Sequence, residues 1–267
     1  MSMKKAGVIF LEKFISSTAN PYIKHLKKLQ TSSKYRNEQG KFLLEGLRPI
    51  KDAITAGNIP EKVLVSESFK GSVTGAEVIR ITDSVARVLS DTVSTQGIMA
   101  EIKMPKSNIS ELTPGSAPTV FFCDGVSDPG NLGTIIRTLE AVGNTRLILG
   151  KGTVDLYNPK TVRSTMSAIF NLPIYFAEDS VSALEKLKQM GYKIAGTRME
   201  NATLYWEQNM KEPTVIVLGN EANGISGEVM NLCDEFIKIP INGKAESLNV
   251  AVAASVIAYE TVRQRSK

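Results

Sequence analysis

Three segments of this sequence combine residue types that can do chemistry with positions where ligands bind. They are DGVSDPGNLGTIIRT (124–138), VIVLGNEANGIS (215–226) and IPINGKAESLNVAVAASVIAYE (239–260). In each case, polar and glycine residues follow a short apolar stretch, within the segment or just before it, that is typical of a buried strand. Ligands in open parallel sheets bind at the carboxyl ends of the strands, so we expect these loops to form the site.

The glycines in these loops approach two common phosphate-binding motifs and then depart from them. Gly219 and Gly224 have the spacing of a P-loop, but Ile225 stands where the phosphate-binding lysine is required. The stretch GKGTVD (150–155) begins like a dinucleotide fingerprint and lacks its third glycine. The sequence therefore argues against ATP or GTP hydrolysis and against NAD.

Metal chemistry and secretion are also disfavoured by the composition. The single histidine, His25, and the two cysteines, Cys123 and Cys233, provide no metal-ligand set, so no metal is expected. The cysteines indicate buried free thiols in a reducing compartment. No apolar run reaches the ~18–20 residues that span a bilayer. We therefore expect a cytoplasmic protein that does not contact membranes.

Charge is concentrated at one end of the chain. The 267 residues hold 32 Lys and Arg against 27 Asp and Glu, for a net charge of +5. Residues 1–51 hold 11 of the basic residues and 3 acidic ones, which gives +8 there and −3 over residues 52–267. Such a segment indicates a polyanion partner or simply a solvated helix face. Charge alone leaves both open.

The chain is predicted to form two α/β domains separated by a linker. The proline-containing stretch MPKSNISELTPGSAP (104–118) is typical of a linker. Before it, residues 1–103 predict a small α/β domain. After it, residues 119–267 alternate short apolar strands with helices, which predicts a mostly parallel sheet covered on both faces. Predicted helices in this part include LGTIIRTLEAVG (132–143) and KTVRSTMSAIF (160–170).

The three segments, taken in order, resemble the motifs of the SpoU (TrmH-type) RNA 2′-O-ribose methyltransferases of the SPOUT superfamily. The matching patterns are N-x-G-x-x-x-R at 131–137, L-G-N-E-x-x-G at 218–224 and S-L-N-V at 247–250. The resemblance covers 117–265 and implies a trefoil-knotted methyltransferase domain. The N-terminal part, with KFLLEG (41–46) and SDTVSTQGIMA (90–100), is similar to the family's L30e-like substrate-binding domain.

The resemblance implies that S-adenosylmethionine is the cofactor and that a ribose 2′-hydroxyl accepts its methyl group. By position in the motifs, the cofactor would contact Gly219, Ile239 and Leu248, with Gly196 as a weaker candidate. Much of this contact would come from the backbone, which small residues allow to approach a ligand closely.

The catalytic positions implied by the resemblance are Arg137, Asn131, Glu221, Ser247 and Asn249. Arg137 matches the proposed activator of the 2′-hydroxyl. Making an arginine neutral near pH 7 costs roughly 7 kcal/mol. A charged Arg137 needs no such cost if it orients the nucleotide's phosphate and stabilises a developing alkoxide. Asn131 would then orient Arg137 or the ribose.

The RNA substrate is not fixed by the sequence. The L30e-like domain favours 23S-type ribosomal RNA over transfer RNA, by analogy alone. The alternatives are a tRNA 2′-O-methyltransferase, a base methyltransferase, and a non-catalytic RNA- or ribosome-binding protein with a vestigial methyltransferase domain. A role in antibiotic resistance also stays open. A homodimer is implied by the family.

Overall fold

The structure is a computed structural model that describes residues 13–143 and 145–266. These residues divide into two compact units, one ending at Met104 and the other beginning at Pro105. Three residues counted in the predicted basic segment, Lys4, Lys5 and Glu12, lie outside the described residues.

The first unit is a mixed five-stranded sheet with helices. Its elements are β1 (Lys13–Ile15), α1 (Pro21–Thr31), α2 (Ser33–Gln39), β2 (Lys41–Glu45), α3 (Leu47–Thr55), β3 (Lys62–Ser66), β4 (Glu77–Ile81), α4 (Asp83–Leu89) and β5 (Ile98–Lys103). The strand order is β1-β4-β3-β5-β2, and β5 runs antiparallel to both of its neighbours. Helix α1 begins at the cap Asn20 and buries Ile23, Leu26 and Leu29 on one face.

A buried carboxylate organises polar groups on this unit's sheet. Glu101 is 2 % exposed and accepts hydrogen bonds from Tyr22 Oη (2.6 Å) and Lys41 Nζ (2.9 Å). Burial alone would raise the pKa of Glu101, but bonds from Tyr22, Lys41 and His25 lower it below its usual range. His25 lies on α1, its side chain is only 20 % exposed, and its Nδ1 lies 2.9 Å from Tyr35 Oη.

The second unit is a seven-stranded sheet in which each described pairing is parallel. Its elements are β6 (Thr119–Asp124), α5 (Pro129–Val142), β7 (Thr145–Leu149), α6 (Pro159–Ser164), β8 (Ile174–Phe176), α7 (Ser180–Gln189), β9 (Lys193–Thr197), β10 (Thr203–Leu204), β11 (Thr214–Gly219), α8 (Gly227–Met230), β12 (Glu235–Lys238) and α9 (Val250–Arg265). The strand order is β10-β12-β9-β11-β6-β7-β8. The predicted parallel α/β sheet is confirmed.

Residues 105–118 of the segment that the sequence suggests is a linker belong to this second unit. Leu112 and Ala117 are buried, and the Ala117 carbonyl accepts a bond from Tyr192 Oη (2.8 Å). Ser107 Oγ donates to the Ile174 carbonyl (2.6 Å). The prolines interrupt regular structure here, while the few apolar side chains still find the core.

The predicted helix over 160–170 is wrong in its second half. Helix α6 ends at Ser164, and Met166 and Ser167 have φ angles of 48° and 75°. A Cβ placed on Gly133 would lie 2.2 Å from Ser164 Cβ, so the end of α6 is pressed against α5. The chain then turns sharply into a short 3-10 helix (Ala168–Phe170), which buries Ala168 and Ile169. Tertiary packing therefore overrides the helical pattern.

Candidate functional site

A cavity of about 550 Å³ opens at the carboxyl ends of β9, β11 and β12. Because parallel strands end at one edge of the sheet, the loops that follow them meet there. The apolar residues that line it are Met199, Leu218, Ala222, Ile225, Met230, Ile237, Ile239, Ile241, Leu248, Val250, Ala253 and Ile257. A mostly apolar concave lining of this size suits a ligand of the size of a nucleoside derivative.

Glu221 ties the loop after β11 to the start of α5. Its carboxylate accepts bonds from Ser127 N (2.9 Å), Ser127 Oγ (2.8 Å), Asp128 N (3.1 Å) and Asn131 Nδ2 (2.9 Å). Partial burial would raise the pKa of Glu221, but these donors lower it to about 2. Glu221 therefore stays negatively charged at neutral pH, and its low pKa makes it a poor proton acceptor.

Asn131 connects this carboxylate to the start of the last helix. Asn249 Nδ2 donates to Asn131 Oδ1 (2.8 Å), so the amide oxygen of Asn131 faces Asn249 and its nitrogen faces Glu221. Asn249 Oδ1 in turn caps α9 by accepting from Ala251 N (2.9 Å) and Val252 N (3.2 Å). The three sequence motifs thus meet in one hydrogen-bonded chain, Glu221–Asn131–Asn249.

Arg137 takes no part in the hydrogen-bonded chain Glu221–Asn131–Asn249. It is exposed on α5 and forms no hydrogen bond or ion pair with another described residue. Six helical positions separate it from Asn131, which rotates its side chain by about 240° around the helix axis. Arg137 is also absent from the cavity lining. Its guanidinium is therefore free to bind an anion that approaches from solvent.

Three of the four predicted cofactor contacts line the cavity. These are Gly219, Ile239 and Leu248, and the predicted polar residues Glu221, Ser247 and Asn249 line it as well. Gly196 does not, although its neighbour Thr197 does.

Packing explains the glycines at 196 and 219 without any ligand. A Cβ on Gly219 would lie 2.2 Å from the Gly224 carbonyl carbon. A Cβ on Gly196 would lie 2.8 Å from Cys233 Sγ and 2.9 Å from the Phe236 ring. Glycine at 219 is required because the loop after β11 folds back on the strand end.

Two residues that sequence reasoning missed hold this loop in place. Asn220 Nδ2 donates to the Gly125 carbonyl (2.8 Å), while its Oδ1 accepts from Ala222 N (3.0 Å). Asp124 Oδ2 accepts from Ser226 N (2.7 Å) at the far end of the loop. Asn220 lies inside the L-G-N-E motif, so the motif itself was the available signal.

Arg198, a further missed residue, lines the cavity just after β9. Nothing in the sequence around it, GTRMEN, marks it as functional.

Two absences are specific to the described part of the chain. Residues 13–143 and 145–266 contain no group of three or more His, Cys, Asp or Glu side chains that could hold a metal ion. Within the same residues, no helix has the length and apolar character needed to cross a bilayer.

Comparison with known proteins gives consistent matches over both units. Residues 118–259 match the model of the SpoU rRNA Methylase family, and residues 20–100 match that of the MRM3-like substrate binding domain. The chain is 34 % identical to the 23S rRNA (guanosine(2553)-2′-O)-methyltransferase RlmP of Bacillus subtilis (strain 168), covering 92 % of this chain and 98 % of that protein.

Similarity extends to a second enzyme and to a solved structure. The chain is 31 % identical to the 23S rRNA (uridine(2479)-2′-O)-methyltransferase of Streptomyces viridochromogenes, covering 86 % of this chain and 85 % of that protein. The crystal structure of the SpoU methyltransferase AviRb from Streptomyces viridochromogenes, in complex with the cofactor AdoMet, superimposes with a TM-score of 0.84. It shares 28 % identity and covers 93 % of this chain and 99 % of that one.

Proposed function

Because the chain belongs to the SpoU rRNA methylase family, we propose that it methylates a ribose 2′-hydroxyl of 23S ribosomal RNA. The methyl donor is S-adenosylmethionine, the cofactor named in the similar AviRb complex. The observation that carries the proposal is the hydrogen-bonded chain Glu221–Asn131–Asn249, which joins all three family motifs beside the cavity.

The cavity fits this cofactor in size and chemistry. Its apolar lining suits an adenine ring, and the Ser247 hydroxyl on the same wall can hydrogen-bond a ligand. Gly219, Ile239 and Leu248 are the proposed contacts, with Gly196 acting only through the adjacent Thr197. The cofactor supplies an already activated methyl group, so the protein's task is positioning and electrostatics.

The polar residues divide that task between them. Glu221 is saturated by donors and has a pKa of about 2, so it positions Asn131 and does not accept the hydroxyl proton. Asn131 and Asn249 are fixed by each other and present oriented amides, with Ser247 beside them on the cavity wall. Arg137 stays charged, binds the phosphate next to the target ribose and stabilises the developing alkoxide.

Relatives matched over both units favour ribosomal RNA as the substrate. Two similar proteins are named as 23S rRNA 2′-O-methyltransferases, and the first unit matches a substrate-binding domain. The described basic residues of α1, Lys24, Lys27 and Lys28, would contribute salt-dependent phosphate contacts. We assign substrate binding to residues 1–103 and chemistry to residues 119–267.

A homodimer is part of the proposal, and the last helix supports it. Val252 and Tyr259 lie seven positions apart on α9 and are 48 % and 57 % exposed, with Leu248 also exposed nearby. Residues seven apart share a helix face, and a second copy would cover this apolar face.

We expect Tyr259→Glu to shift the protein to monomer in sedimentation velocity. Phe176→Glu, at the β8 edge and 43 % exposed, is the matched control that keeps the dimer.

The trefoil knot and the cytoplasmic location are also proposed. Strand β12 lies toward one end of the sheet, and the chain returns from it to α9, which packs against α5, the helix that follows β6. This return path supports the family's knot. Cys123 and Cys233 are both free thiols, which supports a reducing compartment.

The reaction is tested with purified protein and S-adenosylmethionine carrying a tritiated methyl group. Fractionated 23S rRNA, 16S rRNA and tRNA are the substrates, and labelled RNA is digested to nucleosides. Label in a 2′-O-methylnucleoside of 23S rRNA is the expected result. Label confined to tRNA would support the alternative substrate, and label on a base would remove ribose methylation.

A further inference from the structure

The cavity wall contains a cationic side chain, Arg198, that belongs neither to the family motifs nor to the hydrogen-bonded chain Glu221–Asn131–Asn249. Arg198 lines the cavity immediately after β9, and its guanidinium carbon lies 3.5 Å from the centroid of the Phe236 ring. Its Nη2 donates to the Asn201 carbonyl (3.0 Å), and its Nη1 lies 3.9 Å from Met230 Sδ. The side chain is therefore held in one orientation by contacts on three sides.

The hydrogen-bonding capacity of this group is not satisfied within the protein. A guanidinium has five N–H donors, and Arg198 uses one good acceptor and one weak sulfur acceptor. Its buried Nε has no partner, and none of the described carboxylates forms an ion pair with it. Each of Nη1 and Nη2 also carries an N–H group beyond the bonds described above, and these groups favour an anionic ligand in the cavity.

The other charged residues of the cavity indicate which side chain would bind the anion. The charged residues that line it are Arg198, Glu221 and Lys238. Glu221 is negative and already holds four donors, so it repels an anion. Arg198 is preorganised, whereas the Lys238 ammonium has no described hydrogen bond and would lose rotamer freedom on binding.

We infer that Arg198 binds the carboxylate of the cofactor's methionine moiety. This inference rests on the proposed function, which supplies the cofactor. S-Adenosylmethionine carries one carboxylate, and placing it in a mostly apolar cavity requires a cationic partner. Phe236 backs the guanidinium from behind the cavity wall, since it contacts Arg198 but does not itself line the cavity.

The test is a binding cycle between the side chain and the ligand carboxylate, measured by calorimetry on the full chain. The probes are S-adenosylhomocysteine and 5′-deoxy-5′-(3-aminopropylthio)adenosine, which differ only by that carboxylate. We expect Arg198→Gln to weaken S-adenosylhomocysteine binding about 10- to 100-fold. The amine analogue should change less than about threefold, and Arg198→Lys should recover part of the loss. Thermal melting checks that each variant is folded.

Lys238→Gln is the matched control, because Lys238 is the other cation of the cavity wall. It should leave the affinity for both probes nearly unchanged. Equal weakening of both probes by Arg198→Gln would mean contact with the nucleoside part and would overturn the inference. A carboxylate-selective loss in Lys238→Gln alone would also overturn it. If the unmodified protein binds neither S-adenosylmethionine nor S-adenosylhomocysteine, the proposed function itself fails.

Discussion

Replacing Glu221 with glutamine should destabilise the second unit, and the loss should depend on pH. The carboxylate holds Ser127, Asp128 and Asn131 through four hydrogen bonds and has a pKa of about 2 against an ordinary value of 4.5. Full conversion of that difference would be ~3.4 kcal/mol. Glu221 is exposed, so solvent screening reduces the expected contribution to about 1–2 kcal/mol at pH 7.

The sign of the pH dependence follows from the lowered pKa. A carboxylate with a lowered pKa contributes its full stability above pH 4.5, and loses it as the pH falls through about 2. The difference between Glu221→Gln and the unmodified protein should therefore be largest at pH 7. At pH 3 it should shrink to less than half.

Urea unfolding followed by tryptophan fluorescence measures this difference. The chain has one tryptophan, Trp206, which lies in the second unit and so reports on it. Glu228→Gln is the control, because Glu228 is an exposed glutamate on α8 for which the structure gives no hydrogen bond. An equal loss of stability at pH 7 and pH 3, or no loss at either, would show that the charge of the Glu221 carboxylate does not stabilise the second unit.

Three further predictions test other parts of the molecule. Arg137→Ala should abolish methyl transfer in single-turnover assays while the Kd for S-adenosylmethionine changes less than about twofold, since Arg137 does not line the cavity; wild-type-like turnover would remove it from the mechanism. Ser167→Gly should raise the free energy of unfolding by about 0.5–1 kcal/mol, because glycine adopts the observed φ of 75° without strain; a neutral or destabilising effect in the same urea titration would contradict this. Deleting residues 1–103 should weaken RNA binding in filter-binding assays more than cofactor binding in calorimetry, and an equal loss of both would argue against a separate RNA-binding unit.

The sequence predicts the second unit well where local patterns decide the structure. The alternation of short apolar runs with helices predicts the parallel sheet that contains β6, β7, β9 and β11. The pattern fails where packing between distant segments decides. The break after Ser164 depends on Gly133, which is thirty-one positions away and whose missing Cβ lets α6 approach α5.

The candidate site shows the same division. Motif spacing selects Asn131, Glu221 and Asn249, but their hydrogen-bonded chain depends on contacts across 90 and 118 positions of sequence. No local pattern contains that information. Sequence patterns do not identify Arg198 for the same reason, because its role depends on stacking against Phe236, which lies on another strand.

Mapping the 2′-O-methylated positions in total cellular RNA tests methylation of 23S rRNA by this protein most directly. Cells that carry the gene, cells that lack it and cells that carry the Arg137→Ala variant are compared, with resistance to alkaline cleavage as the readout. We expect one 23S rRNA position that is protected only in cells with the unmodified protein. An unchanged map of 2′-O-methylated positions in all three strains would contradict it.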